Sequence, residues 1–456
     1  MAGATLVWLR DDLRVADNPA LHAAAKRGAP IAVVYLLDEE SVGFRATGGA
    51  ARWWLHHSLT ALTQGLEGLG ARLVLRRGAA AIEIPRLVEE TGATTILWNR
   101  RYAGPARAVD AALKASLRRG GVEVASFQAG LLHEPWTVAT GQGTPFRVFT
   151  PFWNACLARG EPRHPLPAPP SLEPAPAVPS DDLDDWGLLP TRPDWAGGLR
   201  GTWTPGERGA AETLAALTTE SIQAYAESRN EPGVDATSRL SPRLRWGELS
   251  PFQVWRHVSQ GASTPAQRAR AAPFLRQLIW REFNWNILYH HPDLATKNFR
   301  PEFDAFPWVE PEKGELEAWR HGRTGVPLVD AGMRELWHTG AMHNRVRLVT
   351  ASFLIKNLLI DWRLGEQWFW DTLVDADEAN NPANWQWVAG SGADAAPYFR
   401  IFNPVLQAER FDPHRDYQRR WIPELGTADY PEPIVDLKRS RQDALDAYAV
   451  VKRQSG

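Results

Sequence analysis

The sequence predicts an α/β domain followed by an all-α domain. Two observations carry this: the hydrophobic period changes from short β-branched runs to long stretches of helical spacing, and a proline-rich segment separates the two regimes. Five apolar runs come first, TLVWL from Thr5, IAVVYLL from Ile31, RLVLR from Arg72, TTILW from Thr94 and VEVASF from Val122. Amphipathic stretches such as RWWLHHSLTALTQGLEGLG stand between them. Apolar runs alternating with helical patterns belong to a parallel sheet covered on both faces, so a doubly wound domain is expected over residues 1–130. Its turns carry no G-x-G-x-x-G after a strand, which argues against a nicotinamide cofactor.

From Glu161 to Glu207 the chain is too rich in proline for a helix or a central strand. We read residues 131–206 as an interdomain connection, and its several Trp and Leu predict that it lies on the surface of the folded domains. The remainder, 207–456, is read as a helical domain, with FLRQLIWREFNWNILYHH from Phe274 as one example of its period. Its helices are apolar around most of their circumference yet carry isolated Arg, Asn and Gln. That pattern predicts an internal polar cavity, the natural place for a cofactor.

Composition narrows the function. The chain of 456 residues has 51 Lys and Arg against 53 Asp and Glu, so an anionic ligand must be met by a local cluster. A single cysteine, Cys156, excludes a disulfide framework and a cysteine metal site, and no metal is expected. With no signal-like N-terminus and no run of 18 apolar residues, a cytoplasmic monomer is expected. The 22 tryptophans are the unusual feature. Singly each is core filling, but a Trp-rich helical domain with a polar cavity also suits base stacking or electron transfer.

Two constellations stand out. In MHNRVRL, Asn344, Arg347 and Leu348 fall at i, i+3 and i+4 and share a helix face. A buried Arg347 needs a carboxylate, which Asp375 or Asp377 can supply; a structural ion pair is the simpler reading. TSRLSPRLRWGELSP, from Thr237 to Pro251, sets hydroxyls and arginines ahead of a helix. It is either an anion site suited to a diphosphate or a capped helix with a solvated basic face. GSGADA from Gly390 matches the dinucleotide fingerprint only by chance, because no strand precedes it.

The motifs TSRLSP, WREF, GRTGVPLVDAGMR, MHNRVR, DWRLGE, NNPANWQW and DAAPYFRIFNP, in that order, closely resemble the DNA photolyase and cryptochrome family. VWLRDDLRVADNPAL and VFTPFW extend the resemblance over nearly the whole chain, and it is greatest to bacterial class I-type cyclobutane pyrimidine dimer photolyases. The resemblance implies an α/β antenna domain and a helical domain holding FAD, which acts on DNA containing pyrimidine dimers. It implies that Tyr225, Thr237, Ser238, Leu240 and Ser241 line the FAD phosphates and ribityl chain. Asn344, Arg347, Asp375 and Asp377 would hold the rings, with Asn381 facing flavin N5. Trp385, Trp362 and Trp308 match an electron-carrying chain from flavin to surface, although one extra residue follows Trp308.

By the same resemblance, Trp280 and Trp387 wall the flipped dimer and Gln277 faces it. Arg229, Arg281, Arg345, Gln407 and Arg410 match contacts to flanking phosphates. Gln277 stands where cyclobutane-dimer enzymes usually carry Glu, a trait shared with (6-4) photolyases and animal cryptochromes. Against a (6-4) enzyme, Asn344 and Leu348 occupy positions where those enzymes carry histidines. Asn381 argues against a cryptochrome photoreceptor. NRRYAGPARAVD from Asn99 lacks the acidic residue that grips a folate in many relatives, so a second antenna chromophore is expected without an identity.

Overall fold

The computed structural model describes residues 3–311, 313–395 and 399–454. Ala396, Pro397 and Tyr398, within the DAAPYFRIFNP motif, lie outside the described residues. Five strands, β1 (Ala4–Leu9), β2 (Ile31–Leu37), β3 (Leu73–Arg77), β4 (Ala93–Asn99) and β5 (Glu123–Phe127), form one parallel sheet in the order β3-β2-β1-β4-β5. All five predicted runs are therefore strands. Val7 pairs with Val33 on one side and Leu97 on the other, and the strand order reverses between β1 and β4.

Successive side chains of a strand point to opposite faces, and the two faces are buried separately. Val7, Leu9, Val33 and Tyr35 pack with helices α1 (Pro19–Arg27) and α2 (Gly49–Glu67). Leu6, Trp8, Val34 and Leu36 pack with α3 (Ala80–Thr91) and α4 (Gly104–Arg119). The proline-rich segment lies along the sheet, as expected. Leu172 N–H donates to Leu69 O (2.7 Å) and Asp181 N–H to Leu75 O (2.9 Å), with Leu172, Val178 and Trp186 buried.

One expectation needs correcting. The stretch from Glu161 to Glu207, read as too rich in proline for a helix, contains the short α6 (Gly197–Thr202), and α5 (Phe149–Leu157) precedes it. Phe149, Phe152 and Trp153 of α5 are buried against Leu278 and Phe283, and Pro151 falls in the first turn, where no intrahelical N–H bond is lost.

Helices then follow in succession: α7 (Glu207–Ala215), α8 (Thr219–Ser228), α9 (Ser241–Arg245), α10 (Pro251–Gln260), α11 (Pro265–His290), α12 (Lys313–Arg320) and α13 (Pro327–Thr339). After them come α14 (Asn344–Ser352), α15 (Trp362–Thr372), α16 (Asn380–Ala389), α17 (Pro404–Phe411), α18 (Asp416–Trp421) and α19 (Leu437–Gln454). Local sequence starts two of them. SPFQ and TPAQ form capping boxes, Ser250 with Gln253 and Thr264 with Gln267, each with proline at the first helical position. GSGADA follows α16 directly as its C-terminal turn, with Gly390 at φ +95°, which agrees with reading the fingerprint as chance. No helix of the described residues is long and apolar enough to cross a membrane.

Candidate functional site

A cavity of about 820 Å³ opens among α8, α9, α11, α14 and α16, within the range of ligand sites. Asn344, Arg347 and Leu348 all line it, so the shared helix face is real. Arg347 donates through Nη2 to Asp375 at 3.0 and 3.2 Å, and through Nε to Met342 O at 2.8 Å. Asp375 also accepts from Ser241 Oγ at 2.6 Å. Asp377 does not pair with Arg347. Its carboxylate accepts the N–H groups of Ala379 and Asn380 and the Asn380 side chain, tying down the start of α16.

The hydroxyl-rich segment lines the same cavity through Thr237, Ser238, Leu240 and Ser241, with Tyr225 beside them. The capped helix is α10, where Ser250 of this segment accepts the Gln253 N–H, while α9 is only five residues long and its Ser241 hydroxyl donates to a carboxylate. The arginines form no continuous solvated basic face, because Arg243 and Arg245 are largely buried against Glu248 and Asp11, and only Arg239, paired with Asp235, is exposed.

Asn381 sits 7 % exposed on the cavity wall. Its Nδ2 donates to Glu366 O (3.0 Å) and Oε1 (2.8 Å), which leaves its oxygen aimed elsewhere. Glu366 is held in turn by both guanidinium nitrogens of Arg45, at 2.7 and 2.9 Å, from the sheet domain. Sequence spacing gave no sign of this relay.

Trp385 lines the cavity at 2 % exposure, and its indole N–H finds no hydrogen-bond partner among the described residues. Trp362 is fully buried and donates to Asn298 Oδ1 at 3.0 Å. Both belong to one apolar cluster, against which the half-buried Trp308 packs. Gly365 permits the close approach of α15 to α16, since a Cβ there would come within 2.2 Å of the Trp385 ring. The three indoles thus share one cluster, with Trp385 on the cavity wall, Trp362 in the core and Trp308 partly exposed.

Trp280, Trp387 and Gln277 line the cavity as well. Trp280 stacks on Phe149 at 3.8 Å with an interplanar angle of 5°. Trp387 donates to Asp394 O at 3.1 Å. Gln277 makes one long contact, 3.4 Å to Pro273 O, so its amide is available to a ligand.

The expected phosphate contacts divide. Arg345, Gln407 and Arg410 gather with Asn230 and Arg400 in an adjoining cleft of about 340 Å³. Burial, then Arg229, Arg410 and Arg400, push the Arg345 pKa below its usual value, a sign of concentrated positive field. Arg229 lies on the main cavity with its guanidinium 5.6 Å from the Tyr225 ring. Arg281 also lines the main cavity; 16 % exposed, it donates to Gly130 O at 2.8 Å and ties α11 to the sheet domain.

At the sheet's carboxyl edge, where the strand order reverses, Arg10, Arg101, Asp110, Asn99 and Asp12 bond to one another. The crevice left there is about 50 Å³. Among the described residues no group of three or more His, Cys, Asp or Glu is arranged to hold a metal.

For FAD the donor set fits: hydroxyls for phosphates, an Arg347–Asp375 pair, an oriented amide at Asn381 and a cavity of ligand size. Comparison with known proteins agrees. Residues 5–171 match the model "DNA photolyase" and residues 274–429 the model "FAD binding domain of DNA photolyase". The deoxyribodipyrimidine photo-lyase of Agrobacterium fabrum is 50 % identical over 98 % of each chain. Cryptochrome-1 of Arabidopsis thaliana is 36 % identical over 93 % of this chain and 63 % of its own length. The crystal structure of a bacterial class III photolyase from Agrobacterium tumefaciens superposes with a TM-score of 0.94 at 47 % identity, covering 99 % of this chain and 98 % of that one. That class label is a different one from the class I-type likeness read in the motifs. With the FAD-binding domain matched and the relatives covering the chain end to end, this protein belongs to the DNA photolyase and cryptochrome family.

Proposed function

We propose that the protein is a deoxyribodipyrimidine photo-lyase, a carbon–carbon lyase that splits cyclobutane pyrimidine dimers in DNA with light. It acts as a cytoplasmic monomer, with an antenna domain over 1–130, a connection over 131–206 and a catalytic domain over 207–456. One observation carries the reading: a single cavity is lined by Arg347, Asp375 and Asn381 and also by two tryptophan walls, and an arginine-rich cleft adjoins it.

Bound FAD in its reduced form would supply light-driven electron donation to the dimer. The protein does the rest. Tyr225, Thr237, Ser238, Leu240 and Ser241 hold the cofactor's phosphates and ribityl chain. Asn344, Arg347, Asp375 and Asp377 hold its rings, and Asn381 presents its amide to them. Trp280 and Trp387 stack on the flipped dimer, and Gln277 donates to a pyrimidine carbonyl. Arg229, Arg345 and Arg410 neutralise the flanking phosphates, so affinity falls with salt, and the Gln407 amide donates a hydrogen bond to one of them. Trp385, Trp362 and Trp308 carry an electron inward to return the cofactor to its reduced state.

The test is repair of an oligonucleotide bearing one thymine dimer by purified, reduced protein under blue light. Repair of (6-4) photoproducts instead, or no repair at all, overturns the reading. The likeness to Arabidopsis cryptochrome-1 supports a photoreceptor as the second reading. Under it the flavin photoreduces while dimers persist.

A further inference from the structure

Trp280 and Trp387 stand on different helices, α11 and α16, yet one short piece of the interdomain connection touches Trp280 and reaches Trp387 through Asp394. On one side the buried Phe149 ring lies parallel to Trp280 at 3.8 Å, so Trp280 has one face covered and stacks on anything in the cavity with the other. On the other side Trp387 Nε1 donates to Asp394 O (3.1 Å), and Asp394 N–H donates to Arg147 O (3.1 Å). The Phe149 N–H faces the Asp394 carboxylate. Asp394 adopts a left-handed conformation, φ +53°, which a non-glycine residue keeps only where its surroundings hold it. The path from wall to wall is thus Trp280, Phe149, Arg147, Asp394, Trp387.

We propose that Phe149 and Asp394 are positioning residues forming a clamp that fixes the plane of Trp280 and its distance from Trp387, so that the pocket selects a fused pyrimidine pair. This rests on the dimer-binding function proposed above. Stacking on two sides demands that both planes be held to within a fraction of an ångström and some tens of degrees. Trp280 meets the edge of Phe283 at 5.7 Å, and Phe149, lying flat on one face of the indole, fixes its plane. Trp387 is held by its indole N–H, whose acceptor is the carbonyl of the residue that Arg147 anchors. A merely space-filling Phe149 has no reason to lie flat against the indole and to share its segment with the partner of the opposite wall.

The experiment uses FAD-loaded protein and measures binding to two oligonucleotides, one carrying a thymine dimer and one undamaged. Phe149→Leu is expected to weaken dimer binding about tenfold, the scale of one base–aromatic stack, and to leave binding of undamaged DNA and the flavin absorption spectrum unchanged. Phe149→Tyr restores dimer binding. Asp394→Ala has the same effect as Phe149→Leu, and Asp394→Asn, which tolerates the left-handed conformation and keeps an acceptor, stays near the parent. In a Trp280→Ala background Phe149→Leu adds nothing, because the wall it supports is gone. The clamp is refuted if folded, flavin-bound Phe149→Leu and Asp394→Ala both bind the dimer within about twofold of the parent, well inside one hydrogen bond's worth. It is refuted equally if dimer binding, undamaged-DNA binding and flavin retention fall together. Should Phe149→Leu fail to retain flavin, Asp394→Ala decides. A parent protein with no preference for dimer DNA marks the failure of the proposed function, and the clamp falls with it.

Discussion

Asn381 donates a 2.8 Å hydrogen bond to Glu366, and that carboxylate is gripped by Arg45 from a loop 321 residues away. The amide on the cavity wall is therefore oriented from the sheet domain. Glu366 is 2 % exposed, and removing one partner of such a pair leaves a charge without compensation. Glu366→Ala, which leaves Arg45 unpaired but 29 % exposed, should destabilise the fold by about 1–3 kcal/mol in denaturant unfolding, with Glu366→Gln costing less. A midpoint unchanged by Glu366→Ala would show that Arg45 and Asn381 find other partners.

The Trp385 ring faces the cavity and packs at 4.9 Å from Phe369. Trp385→Phe keeps an aromatic ring in that packing but is far harder to oxidise. Light-driven bleaching of the oxidised flavin should be abolished, while repair by chemically reduced protein survives. Photoreduction at the parental rate would remove Trp385 from the electron path.

Gln277 has an amide held only by a long contact to Pro273 O. It can donate to a pyrimidine carbonyl without being protonated, as Glu cannot. Gln277→Glu should leave dimer affinity within about 1–2 kcal/mol and preserve or raise the repair yield per photon. A large fall in yield would show that the neutral amide is the better group in this pocket.

His343 ends the loop into α14 with Nδ1 accepting the Arg345 N–H at 3.2 Å. Burial first, then Arg345, push its pKa from 6.5 down to about 4. Between those values the unfolded chain takes up a proton that the native protein does not, so stability falls as pH drops from 6.5 to about 4. Flavin retention should weaken over that window. His343→Asn keeps a capping oxygen that does not titrate, so its profile should be flatter. Identical slopes in the two proteins would assign the effect to another group.

Arg345 donates to Asn230 and shares its cleft with Arg400 and Arg410. Arg345→Ala should weaken dimer and undamaged DNA alike and lower the salt dependence of binding by about one counterion. A loss confined to dimer DNA would place Arg345 on the lesion and not on its backbone.

What the sequence by itself determined is what lies within a few residues along the chain. Five apolar runs became five strands, because burial on both faces of a parallel sheet requires such runs. Asn344, Arg347 and Leu348 reached the cavity together, because helix geometry alone puts i, i+3 and i+4 on one face. The ordered motifs also named the family, whose FAD-binding domain is matched over 274–429. The tertiary structure decided the pairings. Asp375 and Asp377 were equal candidates for Arg347 until the chain path put the first beside it and used the second to start α16. Ser241, Arg245 and Arg281 carry the residue types of an anion site, yet they are bound to Asp375, Asp11 and Gly130. Arg45 with Glu366, and Phe149 with Trp280, meet across long stretches of chain. No periodicity encodes such meetings, because the contact is made by the packing of separately formed elements and its partners are fixed only when those elements dock.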